Sequence, residues 1–262
     1  MFLDEVLAVK QQEIATSRTA VPLSELERRI AGQAPALDFA AALNGSDVSL
    51  IAEIKRSSPS KGPLRSDLAA ARTALNYAVG GANAISVLTD KFYFGGSLAD
   101  LSDAKAALAG FSRPVPVLRK DFIISPYQVY ESRACGADAI LLIVAALADT
   151  ELSHLLRLAH SLGMKCLVET HDEEELQRAV RLRTQIIGIN NRDLHTLQVD
   201  IRTTQRLAHL IPKDHILVSE SGIRTRHDIH FVSKCGARAV LVGEALVSAV
   251  DCGEKICELM NT

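Results

Sequence analysis

The sequence contains no block of basic residues. Its 29 Lys and Arg are matched by 31 Asp and Glu, for a formal charge of −2. Nothing gathers the positive field that nucleic acid or an acidic lipid surface requires, so neither is expected as a partner. No apolar run approaches the ~18 residues of a membrane-spanning helix, and no membrane partner is expected. The opening stretch, MFLDEVLAVKQQEIATSR, starts with acids where a secretory leader carries positive charge ahead of an apolar core. A cytoplasmic location is therefore expected. Cysteines are few: Cys135, Cys166, Cys235, Cys252 and Cys257 show neither a CxxC nor a Cys/His ligand spacing. They read as small apolar residues of a reducing compartment, and no metal site is expected.

What the chain does have is a regular alternation. At 262 residues, 48% of them hydrophobic, it can bury one large core. Eight short apolar runs recur: LIAEIK, AISVLT, PVPVLRKDF, AILLIV, KCLVET, IIGINN, HILVSESG and AVLVGEA. Between them lie segments such as DLAAARTALNYAVGG, TELSHLLRLAHSLG and DEEELQRAVRLR, with apolar residues three and four apart. A partial repeat, GANAI at Gly81, GADAI at Gly136 and GARAV at Gly236, puts a glycine where a helix would stop and a strand begin. Runs apolar on both faces suit parallel strands covered by helices. Eight such units predict an α/β fold of the closed (β/α)8, or TIM-barrel, class over residues 49–262. An open doubly wound sheet is the rival, but the GxGxxG turn it usually carries after its first strand is missing. Residues 1–48 precede the first strand, and FLDEVLAVKQQEIA and PLSELERRIAG predict a helical extension covering one mouth of the barrel, within one domain overall.

Polar groups then fall in one place. The first strand ends in Glu53 and Lys55, the third in Lys120, the fifth in Glu169, the sixth in Asn190, and the seventh in Glu220 and Ser221. The C-terminal strand ends of such barrels carry the active site, and the opposite ends serve stability. Singly, each has a plain reading: a strand-end Lys or Glu as a solvated rim residue, Asn190 as a turn former in NNRD. Their recurrence on one rim points to a site, because random surface charge would decorate both ends. Ser221–Gly222 and Gly243–Glu244 occupy the turns after strands seven and eight, which commonly hold a phosphate on backbone N–H groups. A dianion there requires the Glu244 side chain to point away.

The segments IAEIKRSSPSKG, PVLRKDFIISPYQVYESRACGADAILLI, VETHDEEEL, IGINNRDLHTLQVD, SESGI and LVGEAL, in this order from Ile51 to Leu246, resemble the indole-3-glycerol phosphate synthase family. The resemblance implies a barrel enzyme of tryptophan biosynthesis, without the fused isomerase barrel that some members carry. Its implied reaction converts 1-(2-carboxyphenylamino)-1-deoxyribulose 5-phosphate into indole-3-glycerol phosphate, carbon dioxide and water, with no cofactor. It implies Lys120 as general acid for ring closure and Glu169 as partner acid/base. It implies Lys55 at the substrate carboxylate, with Glu53 and Asn190 orienting substrate and lysines. Ser58, Phe94, Arg192, Glu220 and Ser221 are implied as substrate contacts, and Ser221, Gly222, Gly243 and Glu244 as the phosphate site. The sequence departs from the family pattern at Lys91–Phe92, where an acid and a lysine are frequent before the aromatic, at His195 and at Ser125. A phosphosugar isomerase on the same barrel and a non-catalytic barrel remain as alternatives. The first would not need two rim lysines, and the second should have lost one of Lys55, Lys120 or Glu169. A small phosphosugar–anthranilate substrate is the expected partner, and a monomer is compatible with the sequence.

Overall fold

A computed structural model describes residues 2–260. Its eight parallel strands are β1 (Ser49–Ile54), β2 (Ala84–Leu88), β3 (Val117–Lys120), β4 (Ala139–Ile143), β5 (Lys165–Thr170), β6 (Ile186–Asn190), β7 (Ile216–Glu220) and β8 (Ala239–Val242). Each pairs with its sequence neighbours, and β8 returns to β1 through Leu50↔Val240 and Ala52↔Val242, closing the barrel. The expected (β/α)8 architecture is present. Side chains alternate across each strand, so one set points inward and the other toward the helices. Ile51, Leu118, Leu141, Leu167, Val218 and Leu241 join one inner cluster. Leu50, Ala52, Val117, Ile140 and Val168 join the outer cluster that the helices cover.

Three helices precede the barrel: α1 (Phe2–Ala20), α2 (Leu23–Ala31) and α3 (Phe39–Ala42). They divide the work that the sequence reading gave to two. The unforeseen α3 supplies the fully buried Phe39, and its C-cap the fully buried Leu43, to the inner cluster, alongside Ala84, Ala139, Ile186, Ile216 and Ala239. These are the first residues of their strands, so α3 plugs the N-terminal mouth. At the other end, Lys10 of α1 pairs with Asp90 at 2.9 Å and Asp121 at 3.0 Å, just beyond β2 and β3. Leu26 of α2 instead packs with Tyr127 and Ala134 on the barrel flank.

The crossover helices are α4 (Ala70–Val79), α5 (Leu98–Leu108), α6 (Pro126–Ala134), α7 (Asp149–Ser161), α8 (Glu173–Arg181), α9 (Arg202–Leu207) and α10 (Arg226–Lys234), followed by α11 (Glu244–Val247) and α12 (Cys252–Met260). The repeated glycines end α4, α6 and α10: Gly81, Gly136 and Gly236 have φ of 106°, 90° and 107°, a region that favours glycine. Ser125, where the family pattern has an acid, caps α6 in a reciprocal box with Gln128. Among the described residues, no helix is long and apolar enough to cross a membrane.

Candidate active site

The inward positions of β1, β3, β5, β6 and β7 stay apolar through the barrel centre and turn polar at their C-terminal ends. All the residues singled out at that rim, namely Glu53, Lys55, Ser58, Phe94, Lys120, Glu169, Asn190, Arg192, Glu220, Ser221, Gly222, Gly243 and Glu244, line a single pocket. The pocket opens at the C-terminal mouth of the barrel, apolar on its Leu88, Phe94 and Phe122 side and polar at the strand ends, the make-up of a small-molecule site.

At its floor, Lys120 Nζ lies 3.2 Å from Glu169 Oε2 and 3.4 Å from Glu220 Oε2. Burial alone would favour the neutral amine. The carboxylates of Glu169, Glu220 and Glu53 outweigh it and hold Lys120 protonated above the usual lysine range. Burial likewise works against ionised Glu169. The Lys120 charge first, then the neighbouring His171 and the Asn190 amide, overcome it and keep this carboxyl below the usual range. Glu220 goes the other way: burial first, then the Glu169 charge, push it up to about 8. Two carboxyls side by side cannot both ionise cheaply, so at neutral pH one is an anion and the other keeps its proton. Lys55 Nζ sits 2.9 Å from Glu53 Oε1, with side chains only 13% and 6% exposed. Each offsets the cost of burying the other.

One wall is apolar. Phe94 and Phe122 lie with ring centroids 6.4 Å apart, and Leu88 and Ile143 adjoin them. Phe92, at the departure from the family pattern, is 71% exposed and outside the pocket lining, as are Lys91 and His195. The Ser58 hydroxyl is buried in the pocket lining with no protein partner. Arg192 bridges the loop after β6 to that after β1, donating to Ser60 Oγ at 3.2 Å and the Leu197 carbonyl at 2.9 Å.

Directly after Glu220, Ser221 and Gly222 take φ of 66° and 82° in succession. A serine in this region stores backbone strain of the kind that clusters at ligand sites. Asn191 holds the turn, donating from Nδ2 to the Ser221 carbonyl at 3.0 Å while its Oδ1 accepts from Thr204. The Glu244 carboxylate is taken by Lys61 at 2.5 Å and Arg224 at 3.2 Å, so its charge is offset within the pocket lining.

Some residues of the site escaped the sequence reading. Gly188 is the inward residue of β6 two before Asn190, and a Cβ there would run into the Glu220 carboxylate. Gly243 does the same for Glu53, a second reason for glycine beside its proximity to an anion. The period of two back from Asn190 would have found Gly188. Because the obstacle is the far end of a side chain, Gly188→Ala should fold yet displace Glu220. A turnover loss of about 10²-fold is expected, the cost of misplacing a group by about 1 Å. Steady-state kinetics with circular dichroism checks it, and parental kcat in the folded variant would show that Glu220 needs no such room.

Residues 3–259 match the sequence model of a family described as indole-3-glycerol phosphate synthase. A protein of that name from Dehalococcoides mccartyi (strain CBDB1) is 49% identical over 261 residues, covering 99% of this chain and 100% of the relative. Another, from Roseiflexus sp. (strain RS-1), is 49% identical over 262 residues, covering 98% and 97%. Among solved structures, a mutant tryptophan synthase alpha-subunit from Pyrococcus furiosus matches with a TM-score of 0.61 at 16% identity, over 82% of this chain and 99% of that one. That last likeness is one of fold alone.

Proposed function

The chain belongs to the indole-3-glycerol phosphate synthase family, and from that premise we propose what each group at the barrel mouth does. The substrate is 1-(2-carboxyphenylamino)-1-deoxyribulose 5-phosphate, and the reaction is ring closure, decarboxylation and dehydration. The carrying observation is the placement of Lys120 between the buried carboxyls of Glu169 and Glu220, at one end of a pocket with an aromatic wall and the Ser221–Gly222 turn at positive φ.

The phosphate is held at Ser221, Gly222, Gly243 and Glu244, with the Glu244 carboxylate neutralised by Lys61 and Arg224. The anthranilate ring lies on Phe94 and Phe122, and its carboxylate meets Lys55, which Glu53 keeps in place. This brings the ring carbon beside the ribulose carbonyl. As the bond forms, negative charge grows on the carbonyl oxygen, and Lys120 donates its proton there. A developing alkoxide is a stronger base than the amine, so transfer is downhill even though the carboxylates raise the affinity of Lys120 for its proton. Loss of carbon dioxide restores an electron pair to the ring and frees Lys55. Its ammonium gives a proton to the hydroxyl so that it leaves as water, while loss of the proton from the adjacent ribulose carbon completes the indole double bond. Glu169, kept ionised, takes up a proton in the dehydration, while Glu220 and Asn190 hold the groups around it. No step moves electrons to an outside acceptor.

Lys55→Met separates the two lysines. If Lys55 holds the substrate carboxylate, KM rises and kcat falls together, because a charged hydrogen bond worth about 1.5–3 kcal/mol is lost. A parental KM would remove Lys55 from the binding role. For the phosphate, Gly222→Val should raise the dissociation constant of inorganic phosphate about tenfold or more, since a side chain there blocks backbone approach. Calorimetry showing parental phosphate affinity in a folded variant would place the anion elsewhere.

A further inference from the structure

Glu169 has a neighbour that ring closure leaves idle. His171 lies just beyond β5, two residues on from Glu169, so both side chains leave the same side of the chain. Its Nε2 is 3.3 Å from Glu169 Oε1, and its Nδ1 is 3.0 Å from Glu175 Oε2 in the first turn of α8. Glu175 also accepts the His171 backbone N–H at 2.9 Å, which fixes the ring from behind. A neutral imidazole carries one N–H only, whereas this ring faces a carboxylate at each nitrogen. Only the imidazolium suits both sides. Burial opposes that charge, but the two carboxylates, Glu169 facing Nε2 and Glu175 hydrogen-bonded at Nδ1, outweigh it and raise the pKa to about 10. Glu169 is thus flanked at both oxygens: Oε2 accepts from Lys120 at 3.2 Å, and Oε1 faces His171 Nε2 in an ion-pair contact at 3.3 Å that falls short of hydrogen-bond geometry.

We propose that His171 is a positioning residue for Glu169: held as an imidazolium between Glu175 and Glu169, it keeps the Glu169 carboxylate ionised and aimed at Lys120 and the substrate. The inference rests on the acid/base reading of Glu169 given above. The charged and polar groups that face Glu169 are Lys120 from β3, Asn190 from β6 and Glu220 from β7, with Glu53 of β1 acting on Lys120 and Glu220. Without His171, Glu169 keeps a single cation while Glu220 competes for the same proton. Ionisation of Glu169 then requires a higher pH.

The test is kcat against pH for His171→Asn, which retains a donor of similar reach but no charge. The expected result is an acid limb displaced toward neutrality, with about a tenfold loss of turnover below it for each unit of displacement. KM, set by the phosphate and carboxylate contacts, should stay near the parental value. A packing role alone would leave the limb where it was. Glu175→Gln, at a partly exposed position, should shift the limb in the same direction by less, and it decides the matter if His171→Asn does not fold. Glu169→Gln separates the two levels. If it is inactive while folded His171→Asn or Glu175→Gln follows the parental curve, His171 has no positioning role. If Glu169→Gln retains parental turnover, the acid/base reading falls and the inference with it.

Discussion

Replacing Lys120 with methionine is expected to lower kcat by about 10²–10⁴-fold, the range a positioned general acid contributes, with a much smaller change in KM. Methionine keeps most of the side-chain length and removes every donor. The phosphate turn, the aromatic wall and Lys55 are untouched, so the substrate still binds. The substitution also leaves Glu169 and Glu220 without the cation between them. Buried carboxylates so exposed to each other will take up protons, which further lowers the fraction of Glu169 able to act as base. Turnover in the folded variant, checked by circular dichroism and thermal unfolding, measures the effect. Near-parental kcat would remove Lys120 from the acid's role and leave Lys55 as the rim lysine to do it.

Arg119→Met is expected to lower folding stability by about 3–5 kcal/mol, the cost of removing one partner from a buried ion network. Arg119 is only 3% exposed and points out of the barrel, behind Lys120. It donates to Glu131 Oε2 and Asp121 Oδ2, each at 2.9 Å, to Ser132 Oγ at 3.1 Å and to Thr89 Oγ1 at 3.1 Å. Asp121 is shared with Lys10 of α1, so the network ties the N-terminal helix to the strand that carries the acid. Burial alone would raise the Asp121 carboxyl, and Arg119 and Lys10 reverse this and hold it down at about 2. Without the guanidinium, two carboxylates remain buried with too little positive charge. A loss of this size consumes much of the roughly 5–15 kcal/mol that stabilises a domain. Urea unfolding should show an earlier midpoint at an unchanged slope. Arg119→Lys should recover little, since a single ammonium cannot reach acceptors spread around a planar fork. Stability within about 1 kcal/mol of the parent for Arg119→Met would mean that the network contributes little.

The barrel was legible because each strand is covered on both faces, which makes its sequence a short continuous apolar run, and because glycine closes the helices at 81, 136 and 236. The rim was legible for a related reason. Glu53, Lys120, Glu169 and Glu220 fall in the last two positions of their strands and line the pocket, so they interrupt the apolar filling only where it meets the open mouth. What escaped were residues defined by their partners. Gly188 looks like an ordinary strand glycine until Glu220 is seen filling the space of its absent side chain. Arg119 sits beside Lys120 in the sequence but faces the opposite way, and its acceptors come from positions 89, 121 and 131. The helix α3 was hidden by its length of four residues, too short for any periodicity to register. His171 stood within a quoted motif, and only its distances to Glu169 and Glu175 give it a purpose.

The most direct measurement supplies purified protein with 1-(2-carboxyphenylamino)-1-deoxyribulose 5-phosphate in the presence of a chelator and without nucleotide. Indole fluorescence and carbon dioxide are followed together. The expected result is one indole-3-glycerol phosphate and one carbon dioxide for each substrate consumed, at a rate the chelator does not change. Folded protein that yields no indole product would contradict the assigned reaction. Activity that vanishes with the chelator and returns with a divalent ion would contradict a mechanism carried by Lys120, Glu169 and Lys55 alone.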